Sequence, residues 1–284
     1  MSKRITVPDI MAAKGRRKLT CLTAYDYPTA LWVDQSNIDM ILVGDSLAMV
    51  VLGYEDTLPV GMDEMIHHTQ AVSRAARRAL VIGDMPFLSY QASIEQAVLN
   101  AGRFLKEGRA QAVKLEGGRR VAPQVRAMVE AGIPVQGHLG LTPQSAAQFG
   151  GFKVQGKTAE AAKVLIEDAL ELTEAGCFSI VLEAIPAPIA ARVTEAIPIP
   201  TIGIGAGSDC DGQVLVIHDV LGLFDRFIPR FVKQYVQLGG QIREALTRFR
   251  QEVEDGTFPG PEHTFSMDER EEKKLSTTGA NAPK

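Results

Sequence analysis

Five short apolar runs in succession each deliver an ionisable side chain at or near their C-terminal end. Asp45, followed by Ser46, closes MILVGD, and Asp84 lies in LVIGDM. Lys114 and Glu116 lie in AVKLEG, His138 in IPVQGHLG and Glu183 in FSIVLE. A polar residue at one strand end means little, but five in a row that include four carboxylates call for a chemical reason. Clustered carboxylates resist joint ionisation unless positive charge sits among them. Mg²⁺ supplies it well, taking a few carboxylates plus water and substrate oxygens. Asp45 and Asp84 are the expected direct ligands, with Glu116 next, directly or through a water. His138 is either a ligand, for a softer metal, or a hydrogen-bonding group. Lys114 and Glu116 alternate, so both point to the same side of their strand, where a buried ammonium needs an anionic partner.

These side chains meet only if their strands are neighbours. The expected strands are 19–24, 40–45, 80–85, 112–117, 133–140, 178–183, 199–205 and 213–219. Each is a near-continuous apolar run rich in Val and Ile, the mark of parallel strands buried on both faces. Amphipathic segments at 62–77, 92–108 and 158–176 read as helices between them, the last with Thr158 as N-cap and Gly176 as its stop. Eight strands alternating with helices admit an open doubly wound sheet or a closed barrel. The count of eight in a chain of this length favours closure into an α/β fold, a (β/α)₈ TIM barrel. Its active site belongs at the C-terminal ends of the strands, where the acids are. The longer connection 142–157 is expected to be functional. Residues 1–265 are read as one barrel and the polar segment 266–284 as a disordered tail.

Composition narrows the function. A net charge of −4 with both signs mixed offers no basic stripe for nucleic acid. The first residues hold no apolar stretch long enough for a signal peptide, and no run of about 18 apolar residues occurs to cross a membrane. Cys21, Cys177 and Cys210 are distant and form no C-x-x-C pair, which reads as a reduced, cytoplasmic protein without a zinc site.

The run GIGAGSDCDGQ (203–213) is the second candidate feature. Its backbone could cradle a phosphate, although no Lys or Arg stands within it; a tight turn that lets a flat ligand approach is the other reading. His67 and His68 are read as ordinary helix-surface groups, His218 as structural or ligand-facing, and Cys21 as a small buried hydrophobe. Cys210 has no His nearby in sequence to make it a nucleophile.

From about residue 4 to about residue 265 the sequence resembles the ketopantoate hydroxymethyltransferase family (3-methyl-2-oxobutanoate hydroxymethyltransferases). CLTAYDYPTA, ILVGDSLAMVVLGYEDTLPV, GDMPF, VKLEGG, GHLGLTPQS, GGFKVQGK, IGIGAG and DGQVLVIHD carry the resemblance. It implies a barrel of the phosphoenolpyruvate/pyruvate type. It also implies transfer of a hydroxymethyl group from the co-substrate 5,10-methylenetetrahydrofolate to 3-methyl-2-oxobutanoate, giving ketopantoate for pantothenate biosynthesis through a metal-stabilised enolate. On this resemblance Asp45 and Asp84 match magnesium ligands and Glu116 the third acid near the metal. Ser46 and Lys114 match groups that hold the oxo acid, and Glu183 the base. A cytoplasmic homo-oligomer, commonly a decamer, is implied as well.

Two rivals make different predictions. A lyase on the same scaffold would share the metal and the enolate but not the folate. A non-catalytic binding barrel would show no proton exchange at C3 of the oxo acid, and it has no need of clustered charge.

Overall fold

The computed structural model describes residues 3–224 and 226–278. Eight parallel strands close into a barrel in sequence order: β1 Leu19–Thr23, β2 Met40–Val43, β3 Leu80–Asp84, β4 Ala112–Lys114, β5 Val135–Gly140, β6 Ser179–Glu183, β7 Thr201–Ile204 and β8 Gly212–Leu215. Closure comes from β8 pairing with β1, Cys21 lying opposite Val214. All eight expected strands are present, and a TIM barrel is the fold.

Side-chain alternation divides the core in two. Leu19, Cys21, Met40, Leu42, Leu80, Ile82, Ala112, Val181, Ile202 and Val214 fill the barrel interior, joined at one end by Ile10 of the helix Val7–Met11. The alternate residues, among them Ile41, Val43, Val81, Val113 and Ile180, pack outward against the helices. Every one of these residues is buried, so both faces of the strands are covered and the runs carry no polar stripe.

The same alternation aims the chemistry. Asp84 is in phase with Leu80 and Ile82, Lys114 with Ala112, and Glu183 with Ser179 and Val181, so each continues an inward-facing row beyond the apolar layers. A closed barrel brings these rows to one mouth.

The helices Met62–Ala75, Ile94–Lys106 and Ala159–Glu174 occupy the expected segments. The Thr158 hydroxyl accepts the Ala161 amide at 3.2 Å, and Gly176 turns left-handed with φ 104° just after the last helix. The segment 213–219 is only half strand. β8 stops at Leu215, and the short helix Ile217–Val220 begins where the Thr23 hydroxyl accepts the Ile217 amide at 3.0 Å. Cys21, Cys177 and Cys210 are free and buried, and no described helix is long and apolar enough to cross a membrane.

The chain divides into two units, 1–236 and 237–284. The eight strands of the barrel lie in the first. The second unit holds the helix Leu238–Glu254, whose Ile242, Leu246, Phe249 and Val253 are exposed. It also holds the helix Glu269–Thr278, which lies within the segment expected to be a disordered tail. The Asp268 carboxylate accepts the Arg270 amide at 2.9 Å, Glu269, Glu271 and Glu272 fill the first turn, and Lys274 pairs with Glu271 at 2.6 Å. Acids at a helix start and i,i+3 charge pairs support helix without any apolar face. Residues 279–284 of the expected tail lie outside the described residues.

Candidate active site

Asp84 and Lys114 face each other across the β3–β4 pair, where their backbones are in register. The Lys114 ammonium donates to both carboxylate oxygens, at 2.7 and 2.8 Å, and both side chains are buried. Asp45 sits two residues beyond β2, in the turn that leads into the short helix Leu47–Val50, and its amide donates to Asp84 Oδ2 at 3.3 Å. Ser46 starts that helix with its hydroxyl 2.8 Å from the Tyr25 hydroxyl. Glu116 Oε1 lies 3.7 Å from Lys114 Nζ and 3.5 Å from His138 Nδ1, and His138 Nε2 lies 3.2 Å from Glu183 Oε2. The structure thus brings Asp45, Ser46, Asp84, Lys114, Glu116, His138 and Glu183 to one cavity.

The strand ends explain the fine placement. The Gly117 amide donates to the His138 carbonyl at 3.1 Å, an isolated bridge three residues past β4 that keeps Glu116 beside His138. At the end of β5, Gly140 has φ 94°, and a Cβ there would stand 2.2 Å from the Glu183 carbonyl oxygen. The chain crosses β6 at that point only because a side chain is missing. Ala184, directly after Glu183, has φ 47°, an uncommon value for a residue with a Cβ, and it turns the chain sharply behind the carboxylate.

Charge in the cluster is unevenly compensated. Burial, then the charges of Asp84 and Glu116, push the Asp45 carboxyl well above its usual value. Burial pushes Asp84 up too, with Lys114 pulling back. Glu116 is also buried, yet His138 and Lys114 outweigh that and hold it below the usual range. Burial and Lys114 oppose charge on His138, but Glu116 and Glu183 prevail and raise it to about 9, so the imidazole is cationic at neutral pH. Lys114 and His138 therefore neutralise Asp84, Glu116 and Glu183 in part, and Asp45 is the acid left short of positive charge.

That imbalance is where a divalent cation fits. Asp45 Oδ2 accepts the Gln144 carboxamide at 2.9 Å, while Oδ1 has no hydrogen-bond donor among the described residues. Glu116 Oε1 is buried without a hydrogen bond. Among the described residues no group of three or more His, Cys, Asp or Glu side chains is placed to hold a metal ion by itself. Mg²⁺ does not need one, since it commonly binds one or two carboxylates and fills its octahedron with water and substrate oxygens. The donor set matches Mg²⁺, with Asp45 and Asp84 able to ligate directly and Glu116 able to act through a water.

Two residues that sequence reasoning missed hold this set in place. Gln144 donates its carboxamide to Asp45 Oδ2 and to the Met85 carbonyl, both at 2.9 Å, and its amide to Glu116 Oε2 at 3.0 Å. The Tyr90 hydroxyl donates to Gln144 Oε1 at 2.8 Å and accepts the Glu116 amide at 3.1 Å. A neutral amide in TPQS carries no sequence signal for this; only its neighbourhood to the GHLG strand hinted at the rim. Partners that orient metal ligands typically cost 10- to 100-fold in metal affinity when removed. Gln144→Leu is therefore expected to weaken Mn²⁺ binding by about that factor in a folded protein. Unchanged affinity in an electron paramagnetic resonance titration would remove Gln144 from this role.

The Gly-rich turn borders the same cavity as the acids through Gly205 and Gly207. Its Ser208 and Cys210 carbonyls accept Lys18 at 2.9 and 2.5 Å, and its Gly207 carbonyl accepts Gln213 at 2.9 Å. The flat group against it belongs to the protein itself. A Cβ at Gly205, where φ is 63°, would stand 2.6 Å from the Phe231 ring. His67 is exposed, and His68 Nδ1 lies 2.6 Å from the Tyr25 carbonyl oxygen. Burial pushes the Cys210 thiol up, which opposes a nucleophilic role. The acids form the floor of a cavity of about 650 Å³ whose walls include Phe152, Phe224, Phe227 and Phe231.

A family model described as ketopantoate hydroxymethyltransferase matches residues 4–261. The chain is 78% identical over 276 residues to the 3-methyl-2-oxobutanoate hydroxymethyltransferase of Syntrophobacter fumaroxidans, covering 97% of this chain and 98% of that protein. It is 60% identical to the enzyme of the same name from Oleidesulfovibrio alaskensis, over 96% and 94% of the two chains. Among solved structures it resembles phosphonopyruvate hydrolase in complex with oxalate and Mg²⁺, with TM-score 0.59, 12% identity and coverage of 97% and 99%. It also resembles 2,3-dimethylmalate lyase of the phosphoenolpyruvate mutase/isocitrate lyase superfamily, with TM-score 0.57, 14% identity and coverage of 98% and 100%. Likeness at such identities speaks for the fold alone.

Proposed function

Because the chain belongs to the ketopantoate hydroxymethyltransferase family and is a transferase of pantothenate synthesis, we propose that it acts through Mg²⁺ and an enolate, with 5,10-methylenetetrahydrofolate as donor. The observation that carries the proposal is the pairing of opposite functions on one cavity floor. An acid cluster short of positive charge stands at β2 to β4, and a carboxylate that reaches the cavity stands across from it at β6. The Glu183 side chain is 16% exposed, against 2% for Glu116.

In this reading Asp45 and Asp84 hold the metal and Glu116 supports it through a water. When bound, the ion would supply Lewis acidity beside the oxo acid and favour loss of its C3 proton. Ser46 and Lys114 bind the carboxylate and oxo oxygens of 3-methyl-2-oxobutanoate, and Lys114 adds positive charge where negative charge develops. Glu183 removes the C3 proton, held in position by the cationic His138, which Glu116 anchors from its other nitrogen. C3 then attacks the methylene carbon of the donor as one of its two C–N bonds breaks, and water displaces the second nitrogen to complete the hydroxymethyl group. Tetrahydrofolate leaves with its two nitrogens protonated, one by the proton taken from C3 and one by the proton lost from the water. His138 thus orients the base, and no ligand role is needed for it. The reading carries with it a cytoplasmic homo-oligomer, the decamer that the resemblance implies.

Proton NMR of 3-methyl-2-oxobutanoate in D₂O with enzyme, Mg²⁺ and methylenetetrahydrofolate tests the whole scheme. Ketopantoate is expected to appear, and EDTA to abolish it. Deuterium entering C3 without product would keep the enolising site but point to a lyase. Neither signal, in a folded and metal-loaded sample, would leave only the binding barrel.

A further inference from the structure

The floor of the cavity accounts for the oxo acid but not for most of the space above it. A volume of about 650 Å³ is of the size that encloses a drug-sized ligand, far more than a small branched oxo acid fills. One carboxylate in this cavity has no part in the scheme above. Asp219 lies on the helix Ile217–Val220 directly after β8, lines the cavity and is only 8% exposed. Its carboxylate makes no hydrogen bond or ion pair among the described residues.

We propose that Asp219 and the phenylalanine wall of Phe227 and Phe231 form the binding site for the flat heterocycle of the one-carbon donor, with Lys153 and Arg230 at the rim receiving its acidic tail. This rests on the folate reading of the reaction given above and assigns that donor a place.

Three features of the cavity, graded by depth, match three parts of such a ligand. A buried carboxylate without partners costs free energy until a donor pair reaches it. The aminopyrimidinone edge of a pterin offers a ring N–H beside an exocyclic NH₂, a pair of parallel donors that a carboxylate accepts with both oxygens, as it does from a guanidinium. Burial alone pushes Asp219 up to about 6, so it remains mostly ionised at neutral pH and is not drawn into the charge balance of the four acids on the floor. Further out, Phe231 is 37% and Phe227 68% exposed, large apolar faces that stacking on a flat ring would cover. Phe231 is held against Gly205 by the missing Cβ described above, so it offers a fixed ring rather than a mobile one. Lys153 and Arg230 are exposed lining residues without an ion-pair partner among the described residues. A glutamate tail pairs naturally with such cations. The methylene carbon, which joins heterocycle to tail, then lies between wall and floor, where C3 of the oxo acid needs it.

The test uses the intact Mg²⁺-loaded enzyme with tetrahydrofolate as the binding probe and methylenetetrahydrofolate as substrate. Asp219→Asn keeps the shape but turns one acceptor into a donor that faces the ligand's own N–H. It is expected to raise the tetrahydrofolate Kd and the donor KM by roughly 10- to 100-fold, the loss of a charge-assisted pair. Phe227→Ala, at an exposed position that the fold does not need, is expected to raise the same constants roughly 2- to 10-fold. Deuterium exchange at C3, which needs no donor, is expected to continue in both variants. Unchanged Kd in both would overturn the site. So would a fall in kcat with donor KM unchanged, which would make Asp219 an acid in the chemistry. Loss of C3 exchange in folded Asp219→Asn would assign it to the acid floor and overturn the proposal as well. If the wild-type enzyme exchanges deuterium but neither binds tetrahydrofolate nor makes product, the donor reading itself fails, and the pocket assignment falls with it.

Discussion

Glu183→Gln is expected to lower turnover by about 10²–10⁴-fold while Mn²⁺ affinity stays within a few-fold of wild type. The factor is what a positioned carboxylate contributes as general base, and the amide cannot accept the C3 proton. Metal affinity is expected to be spared because Glu183 lies on the far side of His138 from the acids proposed to ligate, and its one contact with the cluster among the described residues is the 3.2 Å approach to Nε2. Deuterium exchange at C3 should fall together with turnover, since both need the same proton transfer. A residue that acted only on the donor would slow product formation and leave exchange intact. Near-normal turnover of the variant would take the base role from Glu183. Loss of Mn²⁺ binding would instead make it a ligand, and the division of the site into cluster and base would have to be redrawn.

What could be read from the sequence followed from periodicity. Leu80, Ile82 and Asp84 alternate along one strand face, as do Ala112, Lys114 and Glu116, so inward aim was legible once the strands were counted. Their mutual proximity needed only closure, which the count of eight supplied. The cavity's other half was not legible, because it depends on loops folding over the mouth. Gln144 reaches Asp45 from 99 residues away by returning over β3 behind Tyr90. Phe231 belongs to an irregular segment whose only sequence clue is Gly205, and that glycine reads equally well as a phosphate turn. Asp219 appeared to be the end of an eighth strand. The early stop at Leu215 moves it onto a helix and changes where it points. The tail helix Glu269–Thr278 rests on charge pairs and capping, which carry no hydrophobic period to detect.

The second large effect belongs to Asp84, where binding and stability are joined. Asp84→Ala is expected to lose metal and oxo-acid binding together and to destabilise the barrel by about 3–5 kcal/mol. The energetic part follows from what remains. Lys114 is buried with Asp84 as its bidentate partner, and without Asp84 its nearest carboxylate contact among the described residues is Glu116 at 3.7 Å. An uncompensated buried ammonium is far costlier than the pair is favourable, so the deficit comes mostly from the orphaned charge. Its sign with pH is fixed by the direction of the shift. Burial opposes the Lys114 charge, but Asp84, Glu116 and Asp45 outweigh it and hold the ammonium above its ordinary value. Stabilisation from a raised group is fully present below the unfolded value of about 10.4 and is lost only as pH rises through the folded one. The deficit of Asp84→Ala is therefore expected in full at pH 7, as a fall in melting temperature on the order of 10 °C. Lys114→Met in the Asp84→Ala background removes the stranded charge and should recover much of that stability without recovering Mn²⁺ binding. Recovery of both would mean that Asp84 serves the metal only by restraining Lys114. Normal Mn²⁺ affinity in Asp84→Ala alone would end its assignment as a ligand.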